Sequence, residues 1–308
     1  MSRIVIALGG NALGSTPQEQ LALVRRTAQP LASLLAAGHQ LVVTHGNGPQ
    51  VGMIQLGMSA AAGAGVIAGE MPFPECGAMS QGYIGYHLQN ALRNELHARG
   101  MRQEVASIVT QVLVSADDPA FSHPTKPIGA FYSEETARRL MAERGWAMAE
   151  DAGRGWRQVV PSPMPLDVVE LESIRSFLDA GHTVIACGGG GIPVVLEDGA
   201  LRGVAAVIDK DFASEKLAEL LGADQLVILT AVDRVVLHFG TPDARPIERM
   251  SAGEAEKYCA EGHFAPGSML PKVQAALRFA RAGGRAVITS LERAAEALDG
   301  RCGTVIEG

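Results

Sequence analysis

The chain has 308 residues, enough for one large α/β domain with an insertion or for two lobes, and 47% hydrophobic with 19% charged residues exclude a disordered chain. Its formal charge is −7, from 26 Lys+Arg against 33 Asp+Glu, and the absence of a long basic block argues against a nucleic-acid-binding face. No apolar run approaches the roughly 18 residues that span a membrane, so no membrane association is expected.

Residues 3–8 read as a buried strand, followed by the turn Gly9-Gly10 and a helix over about 18–37 that Gly38 stops. Residues 40–44 form a second strand, closed by His45-Gly46-Asn47-Gly48-Pro49. A long helical region then includes 81–99, with Ile84, Leu88, Ala91 and Leu92 on one face, and 105–114 reads as a third strand. From Asp117 to about Met164 the alternation breaks into turn-rich segments around a short helix near 133–144. Loops this long are usually functional, and this excursion of residues 117–164 reads as a protruding lid. A helix over 168–180, a strand over 182–187 and the turn Gly188 to Gly191 resume the pattern. Beyond them come a strand over 225–230, a helix over 270–282, a strand over 285–290 and a possible edge strand at 304–306. Strands alternating with helices predict a mainly parallel sheet covered on both faces.

Three strands end in glycine turns, LGGNALG, THGNGPQVG and ACGGGG. Ligands of open α/β sheets collect at the carboxyl ends of strands, where bare backbone can approach a phosphate or small anion. Asn11 and Asn47 add side chains that both donate and accept. Gly46, Gly48 and Gly52 also give G-x-G-x-x-x-G, but Pro49 removes a backbone donor and the nearest following acid, Glu70, lies in no clear strand, which disfavours a dinucleotide site. The P-loop signature is absent, and Asp211-Phe212-Ala213 lacks the preceding loop of a protein kinase. Four scattered cysteines, Cys76, Cys187, Cys259 and Cys302, have no metal-ligand spacing, and a reducing, cytoplasmic setting is the simplest account. The apolar run of MSRIVIALGG is too short for a signal peptide.

The segment AVIDKDFASEKLAEL sets Lys210 between Asp209 and Asp211 at the start of a helix, where backbone donors and the macrodipole favour an anion. Lys272 follows Pro271 at another helix start, so its charge opposes the dipole unless an anion is near.

IALGGNAL, THGNGPQVG, PTKPIG, EDAGRGWR, CGGGGIPV, AVIDKDFASEKLAELLGAD, LTAVD and GHFAPGSMLPK together resemble the carbamate kinases of the amino-acid kinase family, in matching order from Ile6 to the C-terminus. The resemblance implies a three-layer αβα sandwich in a single domain spanning 1–308. Its N-terminal half would bind carbamate, its C-terminal half ATP or ADP, and the excursion would be a protruding subdomain. The implied reaction is reversible phosphoryl transfer between ATP and carbamate by a homodimer, running in the cell as ATP synthesis from carbamoyl phosphate in arginine breakdown. Lys210 and Lys272 would contact the transferring and nucleotide phosphates, Lys126 would reach in from the subdomain, and Asp211 would hold the lysines. Gly9, Gly10 and Asn11 would form the first phosphate turn, while Gly46, Asn47 and Gly48, with Gly188, Gly189 and Gly190, would line the carbamate side. The nucleotide side would draw on Asp209, Ala231, Val232, Gly267, Ser268 and Met269. Mg2+ is expected with ATP, held mainly by phosphates and water, so no protein metal ligand is nominated. His45, His123 and His263 are assigned no chemistry. Gln158 and Met164 stand where such kinases often carry basic side chains. Two other readings remain: a regulatory nucleotide-binding relative, which should lack the lysines, and a nicotinamide-dependent oxidoreductase resting on Gly46, Gly48 and Gly52 alone.

Overall fold

The computed structural model describes residues 2–9, 13–14, 16–151 and 153–308. Among them, eight strands form the principal sheet in the order 249–251, 304–307, 285–290, 225–230, 3–8, 40–45, 183–185, 105–107. Every neighbouring pair is parallel except 304–307 with 285–290, so 304–307 and 249–251 run against the other six strands. Strand Arg3–Leu8 shows why the sheet is covered twice. Ile4, Ile6 and Leu8 pack into one core with Val24, Leu31, Ile84 and Leu88, whereas Val5 and Ala7 face a second core with Ile174, Leu217 and Val273. Period-two alternation thus feeds two apolar layers, as the three-layer expectation requires.

The first layer holds helices α1 (Pro17–Ala36) and α3 (Phe73–Ala98), with α2 (Gly48–Gly63) leading into α3. α4 (Glu134–Arg144) belongs to the excursion. The other face is covered by α5 (Leu171–Asp179), α6 (Lys210–Leu220), α7 (Ala252–Ala260) and α8 (Met269–Arg281), and α9 (Ala294–Leu298) returns to the first. Thr16 starts α1 with a capping box, its hydroxyl accepting from Glu19 N at 3.2 Å while the Glu19 carboxylate accepts from Thr16 N at 3.3 Å.

Four expectations need correction. Residues 105–114 are not one strand. Val105–Ser107 borders the principal sheet, whereas Gln111–Leu113 joins a separate four-stranded sheet with Asp167–Val168, Ile192–Glu197 and Ala200–Gly203. The break coincides with the Gln81 side chain, whose Oε1 accepts from Thr110 N at 2.7 Å and so takes the N–H a strand neighbour would use, while its Nε2 donates at 3.0 Å to Thr110 O, which also accepts from Ile192 N at 2.8 Å. The helix expected at 168 begins at Leu171, because the Glu170 carboxylate is tied to Gln111 N at 2.7 Å and Nε2 at 2.9 Å. The hairpin Ile192–Glu197/Ala200–Gly203 was not anticipated, although its Asp198-Gly199 turn, with both residues at positive φ, is a sequence-level hairpin signal. Finally, Thr304–Glu307 is not the edge, since Arg249–Ser251 pairs outside it.

The excursion contains a three-stranded antiparallel sheet of Lys126–Tyr132, Trp156–Val160 and Met148–Glu150, with α4. It leans on the body through Gly52 of α2, where a Cβ would overlap the backbone of Gly129. That close approach is what this glycine provides, rather than the third position of a dinucleotide fingerprint.

Candidate active site

The carboxyl ends of neighbouring strands 225–230, 3–8, 40–45 and 183–185 converge on the start of α6. Asp209 caps that helix, its Oδ1 accepting from Asp211 N at 2.9 Å, which satisfies one of the donors a helix leaves free in its first turn. The other Asp209 oxygen pairs with Lys126 Nζ, carried in from the excursion. Asp211 is 2% exposed and lies between two ammonium groups, with Lys210 Nζ 2.5 Å from Oδ1 and Lys272 Nζ 2.9 Å from Oδ2. Three lysines facing two carboxylates leave one positive charge. The cation of Lys272 at the start of α8 therefore finds its anion in Asp211.

Burial drives the Lys210 ammonium below its ordinary range, Asp211 draws it back up, and Lys272 pushes it down again. Burial by itself raises Asp211, but Lys210 and Lys272 outweigh it and hold the carboxyl well below the usual carboxylate range. Asp211 is thus a fixed anion, not a group that exchanges protons near neutrality. His45 is buried at the end of strand Gln40–His45, and its Nδ1 donates to Gly46 O at 2.9 Å. Burial, aided by Lys210, lowers its pKa to about 4 against the opposing pull of the Gly46 carbonyl, so it is neutral and braces the turn.

A cavity of about 280 Å³ opens before the lysine cluster, lined by Gly46, Asn47, Gly48, Gln50, Lys126, Lys210, Gly189 and Gly267. Of the glycine turn at 188–190, Gly189 reaches this wall at φ +66°, and a Cβ there would overlap the Asn47 side chain. Gly188 and Gly190 stand behind it, against His45 and the Ile208 carbonyl. Asn47 donates to Ser80 Oγ at 2.8 Å. Gly9 follows the first strand and is buried, while Gly10 and Asn11 lie outside the described residues.

Sequence reasoning assigned no role to Arg154 and Arg157, which complete the wall from the excursion. Both pair with Asp151, at 3.0 and 3.2 Å, and their guanidinium carbons lie 4.9 and 5.1 Å from the Phe131 ring centre. These arginines outweigh the effect of burial and lower the Asp151 pKa. The signal was present in EDAGRGWR, two cations beside one acid in a glycine-rich turn. Gln158 and Met164 are not among the residues lining the cavity. Gln158 sits in a strand opposite Ile128 and Met148, and Met164 N donates to Asp118 Oδ2 at 2.9 Å.

A second cavity of about 200 Å³ adjoins at the turn into α8, where Gly267 lines the first cavity and Ser268 and Met269 line this one with Val232, Phe239, His263 and Phe264. Ala231 is exposed beside it. His263 packs edge-on to His238 at 4.6 Å, and His123 lies exposed in the excursion, its Nδ1 3.3 Å from Pro119 O.

The amino acid kinase family model matches residues 2–290. The chain belongs to the amino acid kinase family. Within it the likeness is to carbamate kinases: that of Staphylococcus haemolyticus is 54% identical over 309 residues, covering all of both chains. The carbamate kinase of Giardia lamblia bound to citric acid superposes with a TM-score of 0.93 at 45% identity, covering 99% of this chain and 98% of that one. The same enzyme bound to AMP-PNP gives 0.91 at 45% identity and the same coverage. A kinase of this kind takes ATP or ADP as substrate, which bears on what the acids near the lysines do. Asp209 and Asp211 are both occupied by lysines, and no group of three or more His, Cys, Asp or Glu side chains able to hold a metal occurs among the described residues.

Proposed function

We propose that the chain moves a phosphoryl group reversibly between ATP and carbamate in the cavity before Lys210. The observation that carries this is the Asp211 bridge, which holds Lys210, a residue of the cavity wall, together with Lys272. The attacking carbamate oxygen is already an anion, so the reaction needs no general base, and the work is alignment and neutralisation of charge on the moving group. Lys210 and Lys272 do this from the body. Lys126 exchanges Asp209 for phosphate as the excursion closes, with Arg154 and Arg157 facing the same anion. Gly46, Asn47, Gly48 and Gly189 place backbone donors on the carbamate side, contributed by the N-terminal half. The C-terminal half takes the nucleotide, its base in the cavity of Val232, Ser268 and Met269, with Asp209, Ala231 and Gly267 beside it.

Mg2+ arrives on the nucleotide and keeps phosphate and water ligands, in line with its reluctance to dehydrate. The favoured direction is ATP formation from carbamoyl phosphate in arginine breakdown, in the cytoplasm. A homodimer fits the exposure of Met79 and Tyr86, seven residues apart on α3. No helix among the described residues is long and apolar enough to cross a membrane. The test is to supply ADP and carbamoyl phosphate and measure ATP, with N-acetylglutamate plus ATP as the rival pair. Turnover of the rival alone would overturn the proposal.

A further inference from the structure

Behind the carbamate side of the cavity runs a buried chain of side-chain hydrogen bonds whose direction is fixed at one end. Gln50, in the first turn of α2, is 2% exposed and lines the cavity together with Gly14 and Lys210. Its Nε2 lies 3.0 Å from Gly14 O and 3.2 Å from Gln20 Oε1. A backbone carbonyl only accepts, so the NH2 end of Gln50 must face Gly14. Gln20 must then present its oxygen to Gln50 and its NH2 to His87 Nδ1, 3.0 Å away. Both Gln50 hydrogens are thereby used and its amide cannot turn over. What remains is Oε1, a buried acceptor with no partner among the described residues. Unpaired buried acceptors are costly and rare in native proteins. This one belongs to a side chain in the wall of a cavity otherwise furnished with cations and bare backbone donors.

We propose that Gln50 Oε1 accepts a hydrogen bond from the amino group of carbamate and of carbamoyl phosphate, making Gln50 the residue that selects nitrogen over carbon at that position. This rests on the phosphoryl-transfer reading above. Carbamoyl phosphate and acetyl phosphate have the same shape and the same phosphate, and differ in an NH2 where the other has a methyl group. Lysines and backbone donors attract the oxygens of both. Only the NH2 satisfies the Gln50 acceptor, and a site built to bond a substrate N–H rejects the analogue that lacks it by leaving its own group unpaired.

The experiment measures ATP formed from ADP with each acyl phosphate, as kcat/KM, in the wild type, Gln50→Met and Gln20→Met. The wild type should prefer carbamoyl phosphate at least ten-fold. Gln50→Met should shrink that ratio at least ten-fold, by slowing carbamoyl phosphate more than acetyl phosphate. Gln20→Met removes a tether but keeps the acceptor, and should change both substrates alike. A wild-type ratio near one overturns the proposal without any variant, as does a Gln50→Met enzyme that is active with the ratio unchanged. A wild type that makes no ATP from carbamoyl phosphate refutes the parent reading instead, so the two failures are distinct.

Discussion

Replacing Asp211 by Asn removes one negative charge and almost nothing else, which makes it the sharpest probe of the lysine cluster. The carboxylate holds two ammonium groups at 2.5 and 2.9 Å, with the lysine side chains 12% and 14% exposed and its own 3%. At an effective dielectric constant of about 20, Coulomb's law gives roughly 6 kcal/mol of attraction for each contact, most of it offset by the desolvation of the three charges. Removing one partner from such a buried arrangement costs about 3–5 kcal/mol, because the remaining charges lose their counter-ion. Asp211→Asn should therefore lower the unfolding free energy in urea by about that amount at pH 7.5. Added ADP should restore more stability to the variant than to the wild type, since its phosphates supply the missing anion to Lys210 and Lys272. Turnover should fall about 10²-fold or more as the lysines lose their fixed positions. A variant within about 1 kcal/mol of the wild type, with no larger response to ADP, would refute the claim that Asp211 organises the site.

Lys210→Ala should reduce kcat by about 10² or more, the usual effect of losing one preorganised electrostatic contact, while the unfolding curve stays cooperative; near-normal turnover would remove Lys210 from the mechanism. Gly52→Ala should lift the excursion off α2, because the new methyl overlaps Gly129, and so weaken both KM for carbamoyl phosphate and kcat through displacement of Lys126; unchanged kinetics would show that the excursion does not need this contact. The neutral, buried His45 gives a pH dependence of definite sign. Its folded pKa of about 4 lies below the unfolded value of 6.5, so the unfolded chain binds the proton first, and the stability His45 contributes is whole above pH 6.5 and lost as pH falls toward 4. At about 1.4 kcal/mol per pH unit, the wild type should lose about 2 kcal/mol more than His45→Asn between pH 7 and 5, measured by urea unfolding; parallel losses would place the proton elsewhere.

The glycine turns, the lysine between two aspartates and the misplaced cation at 272 were all legible in the sequence, because each breaks a local rule that a purely structural residue obeys. Strand Arg3–Leu8 and the helix after Asp209 could likewise be read from periodicity and capping. What the sequence could not supply was pairing across long separations. Gln81 interrupts a strand at Thr110 by taking its N–H, Glu170 delays a helix by binding Gln111, and Gly52 exists for the sake of Gly129. Arg154 and Arg157 become part of the site only because the excursion folds back over the cavity, and Gln50 becomes an acceptor only because Gly14 and Gln20 hold its other end. Local propensity is written along the chain within a few residues, and so it fixed the elements and the chemistry they carry. Which partner each polar group finds depends on distances set by packing the two cores against one sheet, and that only the tertiary structure decided.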